Sequence, residues 1–434
     1  MRTLKAVRGT RDLLPPETAL WNRIEETARR VFARYNFGEI RTPVFEDTAL
    51  FARGVGEETD IVSKEMYTWE DRARAVSEKS QSLTLRPENT AGVVRAYIER
   101  KLGETGQLQK LYYIGPQFRR ERPQKGRYRQ FSQIGAEVIG PPSAGSESPL
   151  RDAEVLEMLA TLLDELGIAG WTLSINSVGS SAGRARYNEV LRAALKDVAP
   201  KMCADCQRRA VTNPLRVLDC KVPEDQPYIE ALPKISDSLD EESKKHFAAV
   251  TAALDAAGVP YVRNHRLVRG LDYYTQTTFE FTHGGLGAQN ALLGGGRYDG
   301  LSEAIGGPKA PGIGFAMGED RLVLTLLAQE AAAAVKVDAY VAPLGESVNA
   351  AALALTQELR RAGLSIELGD GSFRLKKSFE AADRAARRIV ILGEDELASG
   401  ILTVKDFATG VQTKVSRAEL AEFLCAPSRE SEEG

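Results

Sequence analysis

Residues 110–118 and 131–139 alternate polar and apolar side chains like two facing strands, and little chain separates them. A chain carrying such a pair is committed to a long antiparallel hairpin, so the stretch between them becomes its tip. That tip runs Arg119-Arg120-Glu121-Arg122-Pro123-Gln124-Lys125-Gly126-Arg127-Tyr128-Arg129-Gln130, six basic residues beside one carboxylate, and Phe131 follows it. Arginine forks make planar, charge-assisted hydrogen bonds to a polyphosphate, and an aromatic ring stacks on a nucleobase. A charge run taken alone is usually a solvated loop. Here polar residues continue along the second strand as Gln133 and Glu137, which lie four apart and therefore share one face.

Around the hairpin the pattern alternates. Apolar Leu20, Ile24, Ala28, Val31 and Phe32 recur at helical spacing within 17–35, and an extended segment broken by Pro43 occupies 37–45. Helices are expected over 91–101 and 153–166, a loop over 140–149 and a strand over 171–177. From 178 to 257 the chain turns polar and helical, which reads as an inserted helical domain or as a surface excursion of the main one. Short strands at 261–262 and 277–281 precede a glycine-rich stretch and a helix ending near Gln329; Ala331 to Ala334 read as a linker. The last hundred residues alternate strand and helix, the mark of a compact α/β domain. The expected organisation is thus one core in two parts, 1–177 and 258–328, interrupted by a helical domain at 178–257 and followed by a domain at 336–425 and an acidic, disordered tail at 426–434.

A chain of 434 residues holds two or three such domains. Its net charge of −3 excludes a globally basic nucleic-acid binder, so any such contact must come from local patches. The N-terminus has no hydrophobic leader and no apolar run approaches a membrane span, which points to a cytoplasmic enzyme without membrane attachment. Four cysteines are too few for a disulfide framework. Three of them, Cys203, Cys206 and Cys220, form C-x2-C-x13-C, but a structural zinc site closes four ligands. His246 is distant in sequence and Asp219 would be an unusual choice, so no metal is assigned and zinc stands open against reduced thiols.

Five separated motifs carry a family resemblance. Residues 8–12 with the helix into Pro43, residues 118–131, and residues 312–321 resemble the three motifs of a class II aminoacyl-tRNA synthetase. Leu267-Val268-Arg269-Gly270-Leu271-Asp272-Tyr273-Tyr274 and Gly294-Gly295-Gly296-Arg297-Tyr298-Asp299-Gly300 resemble segments peculiar to the histidyl-tRNA synthetase family. Asn89 stands where that family often carries glycine. The resemblance implies an α/β (α+β) fold: an antiparallel-sheet catalytic core with a helical insertion and a C-terminal α/β anticodon-binding domain. It implies ligation of L-histidine to tRNA(His) through a histidyl-adenylate made from ATP with Mg2+, releasing pyrophosphate and AMP.

Under that resemblance Arg119 and Arg269 are the catalytic arginines that flank the α-phosphate. Histidine would be held by Glu88, Asn89, Thr90, Arg119, Gln133, Glu137, Arg269, Tyr273 and Tyr274. ATP would be held by Arg119, Glu121, Arg127, Phe131, Gly296 and Arg321. The tip and the C-terminal basic residues Lys376, Lys377, Arg384, Arg387 and Arg388 would meet tRNA. A homodimer is expected, because the helix and strand over 17–45 would otherwise expose Leu20, Ile24, Val31 and Phe45. Two rivals remain at this stage: a catalytically silent relative such as the regulatory subunit of ATP phosphoribosyltransferase, and an adenylating enzyme with an acyl acceptor other than tRNA.

Overall fold

A computed structural model describes residues 3–56, 59–71, 80–124, 126–286, 290–329 and 336–426. Lys125 of the basic tip, the alanine linker and the tail beyond residue 426 lie outside these. The described residues fall into two units, one within 1–332 and one within 333–434.

The first unit is built on eight strands: β1 (Gly38–Glu39), β2 (Gln109–Phe118), β3 (Gln130–Ile139), β4 (Trp171–Ser177), β5 (Val262–Arg263), β6 (Thr275–His283), β7 (Ala291–Arg297) and β8 (Gly312–Gly318). Their order across the sheet is β1-β2-β3-β8-β7-β6-β4-β5. Only the two short edge strands pair in parallel. The hairpin foreseen from alternation is present, with Gln109 opposite Ile139 and Phe118 opposite Gln130.

Alternation sorts the sheet's two faces. Ile134, Ala136 and Val138 of β3 and Ile313, Phe315 and Met317 of β8 are buried in one core with helices Glu17–Arg34, Pro149–Glu165, Glu241–Ala257 and Glu319–Gln329. Each such aliphatic or aromatic side chain contributes about 1.5–3 kcal/mol by leaving water. The opposite face carries Gln133, Gly135 and Glu137 of β3 against Gly318, Ala316 and Gly314 of β8. A glycine-lined face with two long polar side chains cannot make an apolar core, and it is here that the site forms.

Several expectations change in this frame. Ile24 and Val31 are fully buried inside the chain's own core, so the helical face offered as grounds for a dimer is already covered; only Phe45 of that set is largely exposed. Helix Glu241–Ala257 packs on Pro149–Glu165 and puts Val250 and Leu254 into the main core, whereas the insertion's own core runs from Val178 to Ile235 and takes in Val268. A small sheet of Phe45–Asp47, Tyr67–Asp71 and Gln81–Leu85 was not expected; only Phe45 of it falls in the extended segment foreseen over 37–45.

The second unit has a five-stranded sheet with strands Ile366–Leu368, Val337–Pro343, Ala386–Leu392, Ile401–Asp406 and Gln412–Ser416 in that spatial order. Its first three strands are parallel and its last two antiparallel. Lys376, Lys377, Arg384 and Arg387 are exposed, but Arg388 is not a surface cation. It is buried, donating to Asp406 at 3.0 Å and to the carbonyls of Leu424 and Ala426 at 2.9 Å, where it satisfies the end of helix Leu420–Cys425.

Candidate active site

Above the polar face of the sheet lies a cavity of about 800 Å³. Its lining brings together Arg119, Glu121, Arg127 and Phe131 from the hairpin tip, Gln133 of β3, Arg269 from the segment before β6, and Arg321 at the start of helix Glu319–Gln329. Residues as far apart in sequence as Arg119 and Arg321 thus share one wall.

Each arginine is held by its own partner. Arg119 donates from Nε to the carbonyl of Pro87 at 2.9 Å and lies 5.1 Å from the Phe131 ring centroid. Arg127 reaches Glu121 at 3.1 Å. Arg269 donates to Glu280 at 2.5 Å, while its Nε is buried without a partner among the described residues. Burial opposes the charge on Arg269, and the Glu280 carboxylate outweighs it. Arg321 donates to the carbonyl of Ala291 at 2.6 Å; burial, then the nearby Arg127, holds its guanidinium below the usual value. Arg11, from the motif at residues 8–12, ties this assembly from outside by pairing with Asp320 at 2.9 Å and lying 4.7 Å from the Tyr128 ring.

A second group lies deeper and does not line that cavity: Glu88, Thr90, Glu137, Tyr273 and Tyr274, joined by Tyr113 and Tyr298. Glu88 accepts from the amides of Thr90 at 2.9 Å and Ala91 at 3.0 Å, capping helix Thr90–Glu99. The Thr90 hydroxyl donates to Glu137 at 2.7 Å. The other Glu137 oxygen, the Gln133 carbonyl oxygen and the Tyr113 and Tyr298 hydroxyls are buried with no hydrogen-bond partner among the described residues. Burial pushes Glu137, 0% exposed, up to about 8, with the nearby Thr90 and Tyr298 hydroxyls opposing it and Glu88 adding to it.

Glycine makes the room. A Cβ at Gly314 would stand 1.7 Å from Glu137 Oε2, and one at Gly294 would stand 2.4 Å from the Arg269 guanidinium. Gly296 shares the Gly294 face of β7 but packs on Tyr274 and the Thr277 carbonyl, away from the cavity lining. Asn89 also turns aside, accepting from the Thr42 hydroxyl at 2.6 Å. Arg297 of the glycine motif is spent on structure: fully buried, it pairs with Asp152 at 2.9 Å and Asp299 at 2.9 Å, and His246 meets the same Asp152 at 2.7 Å.

The cavity also holds residues the sequence reading passed over. Glu65, Arg216, Arg266 and Glu280 line it. Glu280 had one readable signal, a carboxylate between two phenylalanines; Glu65 ends the short π-helix Ile61–Glu65, Arg216 sits in the 3-10 helix Pro214–Val217 and Arg266 in a turn, all too short for a periodicity to mark them. Glu65 is raised above the usual carboxylate range by burial and by the neighbouring Glu121.

An antiparallel sheet with an arginine-bearing hairpin tip, and a further arginine opening the helix after its last central strand, defines a class II aminoacyl-tRNA synthetase. Residues 9–322 match the family described as Histidyl-tRNA synthetase, and residues 338–426 match the Anticodon binding domain. A histidine-tRNA ligase of Koribacter versatilis (strain Ellin345) is 73% identical over 97% of this chain and 96% of its own length. One from Solibacter usitatus (strain Ellin6076) is 56% identical over 98% and 100%. The apo histidyl-tRNA synthetase of S. aureus superposes with a TM-score of 0.77 at 37% identity, covering 97% of this chain and 100% of that one. The chain belongs to the histidyl-tRNA synthetase family.

Proposed function

We propose that this chain ligates L-histidine to tRNA(His) with ATP, activating histidine in the cavity above its sheet and reading its side chain in the buried group beneath. The observation that carries this is the convergence of Arg119, Arg127, Arg269 and Arg321 on one cavity whose floor strand continues through Gln133 to Glu137. In the first step a histidine carboxylate oxygen bonds to the α-phosphorus of ATP as the bond to the bridging oxygen breaks, and that electron pair leaves with pyrophosphate. The nucleophile needs no base, because a carboxylate is already ionised at neutral pH. What remains is to position the reactants and neutralise charge.

Arg119 and Arg269 serve the α-phosphate, both pre-held by partners and always protonated. Arg127 and Arg321 serve the outer phosphates. Glu121 holds Arg127 through one oxygen and takes the adenine amino group on the other, with Phe131 beside the ring. Below, Glu137 and Gln133 hydrogen-bond the two imidazole nitrogens, Tyr274 closes that side, and Glu88 and Thr90 face the ammonium. A pocket of paired donors and acceptors rejects analogues lacking a ring nitrogen more strongly than shape can. Mg2+ fits this wall at Glu65, whose carboxyl is pushed up by burial and by the neighbouring Glu121 and would be relieved by a cation. Bound there with ATP, it would neutralise polyphosphate charge. The acyl group then passes to the terminal adenosine of tRNA, releasing AMP, while residues 336–425 hold the anticodon by stacking and edge contacts.

Two further proposals concern setting. The exposed Phe45 and Trp69, whose rings meet at 6.1 Å, together with the open edge strand β1, support a homodimer. Light scattering that returns only 47.4 kDa at micromolar concentration would argue against it. Among the described residues no helix is long and apolar enough to cross a membrane, and all four cysteines are free, which favours a cytoplasmic site; fractionation tests that. The functional proposal is tested by histidine-dependent pyrophosphate exchange and by charging of tRNA(His). Exchange without charging would favour another acyl acceptor, and the absence of both would leave a silent binding protein.

A further inference from the structure

The three cysteines that sequence left open meet a fourth donor in the fold. Cys203 and Cys220 have their sulfurs 3.9 Å apart, and the Cys220 sulfur lies 3.3 Å from Asp225 Oδ2. The four donor atoms of Cys203, Cys206, Cys220 and Asp225 all lie within 4.8 Å of one another, and Cys206, Cys220 and Asp225 are buried. Sulfurs sharing a tetrahedral zinc at about 2.3 Å each sit about 3.8 Å apart, whereas a disulfide needs about 2.05 Å.

Two further observations point the same way. The Cys203 sulfur accepts from the amide of Cys206 and the Cys220 sulfur from the amide of Val222, both at 3.4 Å. Amide hydrogen bonds to sulfur orient and stabilise thiolate ligands. Asp225 is 2% exposed, and among the described residues no cationic side chain pairs with it; its partners are the Cys203 amide at 3.0 and 3.2 Å and the Cys220 thiol. A buried carboxylate set only among sulfurs and one amide is costly unless a cation completes the group.

We propose that Cys203, Cys206, Cys220 and Asp225 form a closed, structural zinc site in the helical insertion. Three thiolates select zinc over magnesium or calcium, and four protein ligands leave no open position for catalysis. The thiol protons are released to solvent as the metal binds. The site joins the start of helix Ala204–Thr212 to the turns at 218–225. Those turns are part of the cavity wall: Cys220, Lys221 and Gln226 line it, and Gln226 accepts from Arg266 at 2.6 Å while donating to the Cys220 and Val222 carbonyls at 2.9 Å. Zinc therefore fixes the face that the insertion turns toward the active site.

The test is metal content of the full-length protein purified without chelator from zinc-supplied cells. One zinc per chain that survives dialysis and is released by a thiol-blocking reagent is the expected result. Cobalt in its place should give thiolate charge-transfer and tetrahedral d–d bands. Cys206→Ser and Asp225→Asn should lower the metal content, while Cys425→Ser, which alters the one exposed cysteine, should retain it. Wild-type protein that carries no zinc and takes up neither zinc nor cobalt after reduction overturns the proposal, as does a Cys203 to Cys220 disulfide found by intact mass. Because the wild-type measurements decide, a variant that fails to fold does not obscure the answer.

Discussion

The cavity and the group beneath it solve opposite problems with charge. In the cavity Arg119, Arg127, Arg269 and Arg321 are partly exposed, and each already has a protein acceptor to hold it in place. In the deeper group Glu137 is sealed from water, with the Thr90 hydroxyl on one oxygen and the buried Tyr298 hydroxyl near the carboxyl. The difference matches what each region is proposed to meet. A polyphosphate brings its own charge and water, so arginines can wait ionised; an imidazole brings one N–H donor and one acceptor nitrogen, so the groups that meet it must be held apart and dry.

Breaking the upper region should have the larger effect. Arg269→Ala removes the guanidinium proposed to meet developing phosphate charge, and pyrophosphate exchange should fall by about 10²–10³-fold, the usual consequence of losing one aligned donor. Affinity for tRNA, measured by filter binding, should stay near wild type. Near-normal exchange would take Arg269 out of the mechanism.

In the lower region Glu137→Gln keeps shape but replaces one carboxyl oxygen by an amide N–H. Leaving a buried hydrogen-bonding group unmatched costs about 1–3 kcal/mol, so the KM for histidine should rise about 10- to 100-fold. An unchanged KM would show that Glu137 reads nothing.

The smallest effect, per unit of pH, is on stability. The Glu137 carboxyl sits near 8 when folded and near 4.5 as an ordinary carboxyl. Its folded value is raised, so its stabilising contribution is complete below about pH 4.5 and is lost as pH rises toward 8. The ligand-free protein should lose stability relative to Glu137→Gln across that window, by at most about 1.4 kcal/mol per pH unit. Glu319 is likewise raised to about 8 by burial, but it is common to both proteins and cancels in the difference. Parallel melting curves from pH 5 to 8 would contradict the assignment.

How much of this was legible in the sequence follows from the period of each element. The hairpin and its Gln133 and Glu137 face were readable because a strand repeats every two residues, and the observed pairing extends the expected strands by one residue at the Gln109 and Gln130 ends. Helix Glu241–Ala257 was readable as a helix but not as part of the main core, because an amphipathic pattern does not say which core it faces. Arg388 looked like its surface neighbours, since a charge carries no mark of burial. Asp225 was invisible as a ligand: aspartates are common, and only the turns after Cys220 bring this one to the sulfurs.

The division of labour between the two regions is tested most directly by histidine-dependent pyrophosphate exchange on the full chain, with wild type, Arg269→Ala and Glu137→Gln run in parallel. The expected result is a split: Arg269→Ala loses kcat with a nearly unchanged KM for histidine, and Glu137→Gln raises that KM while keeping most of kcat. If both variants lower kcat alike and leave KM alone, the two regions do not act separately and this account of the site fails.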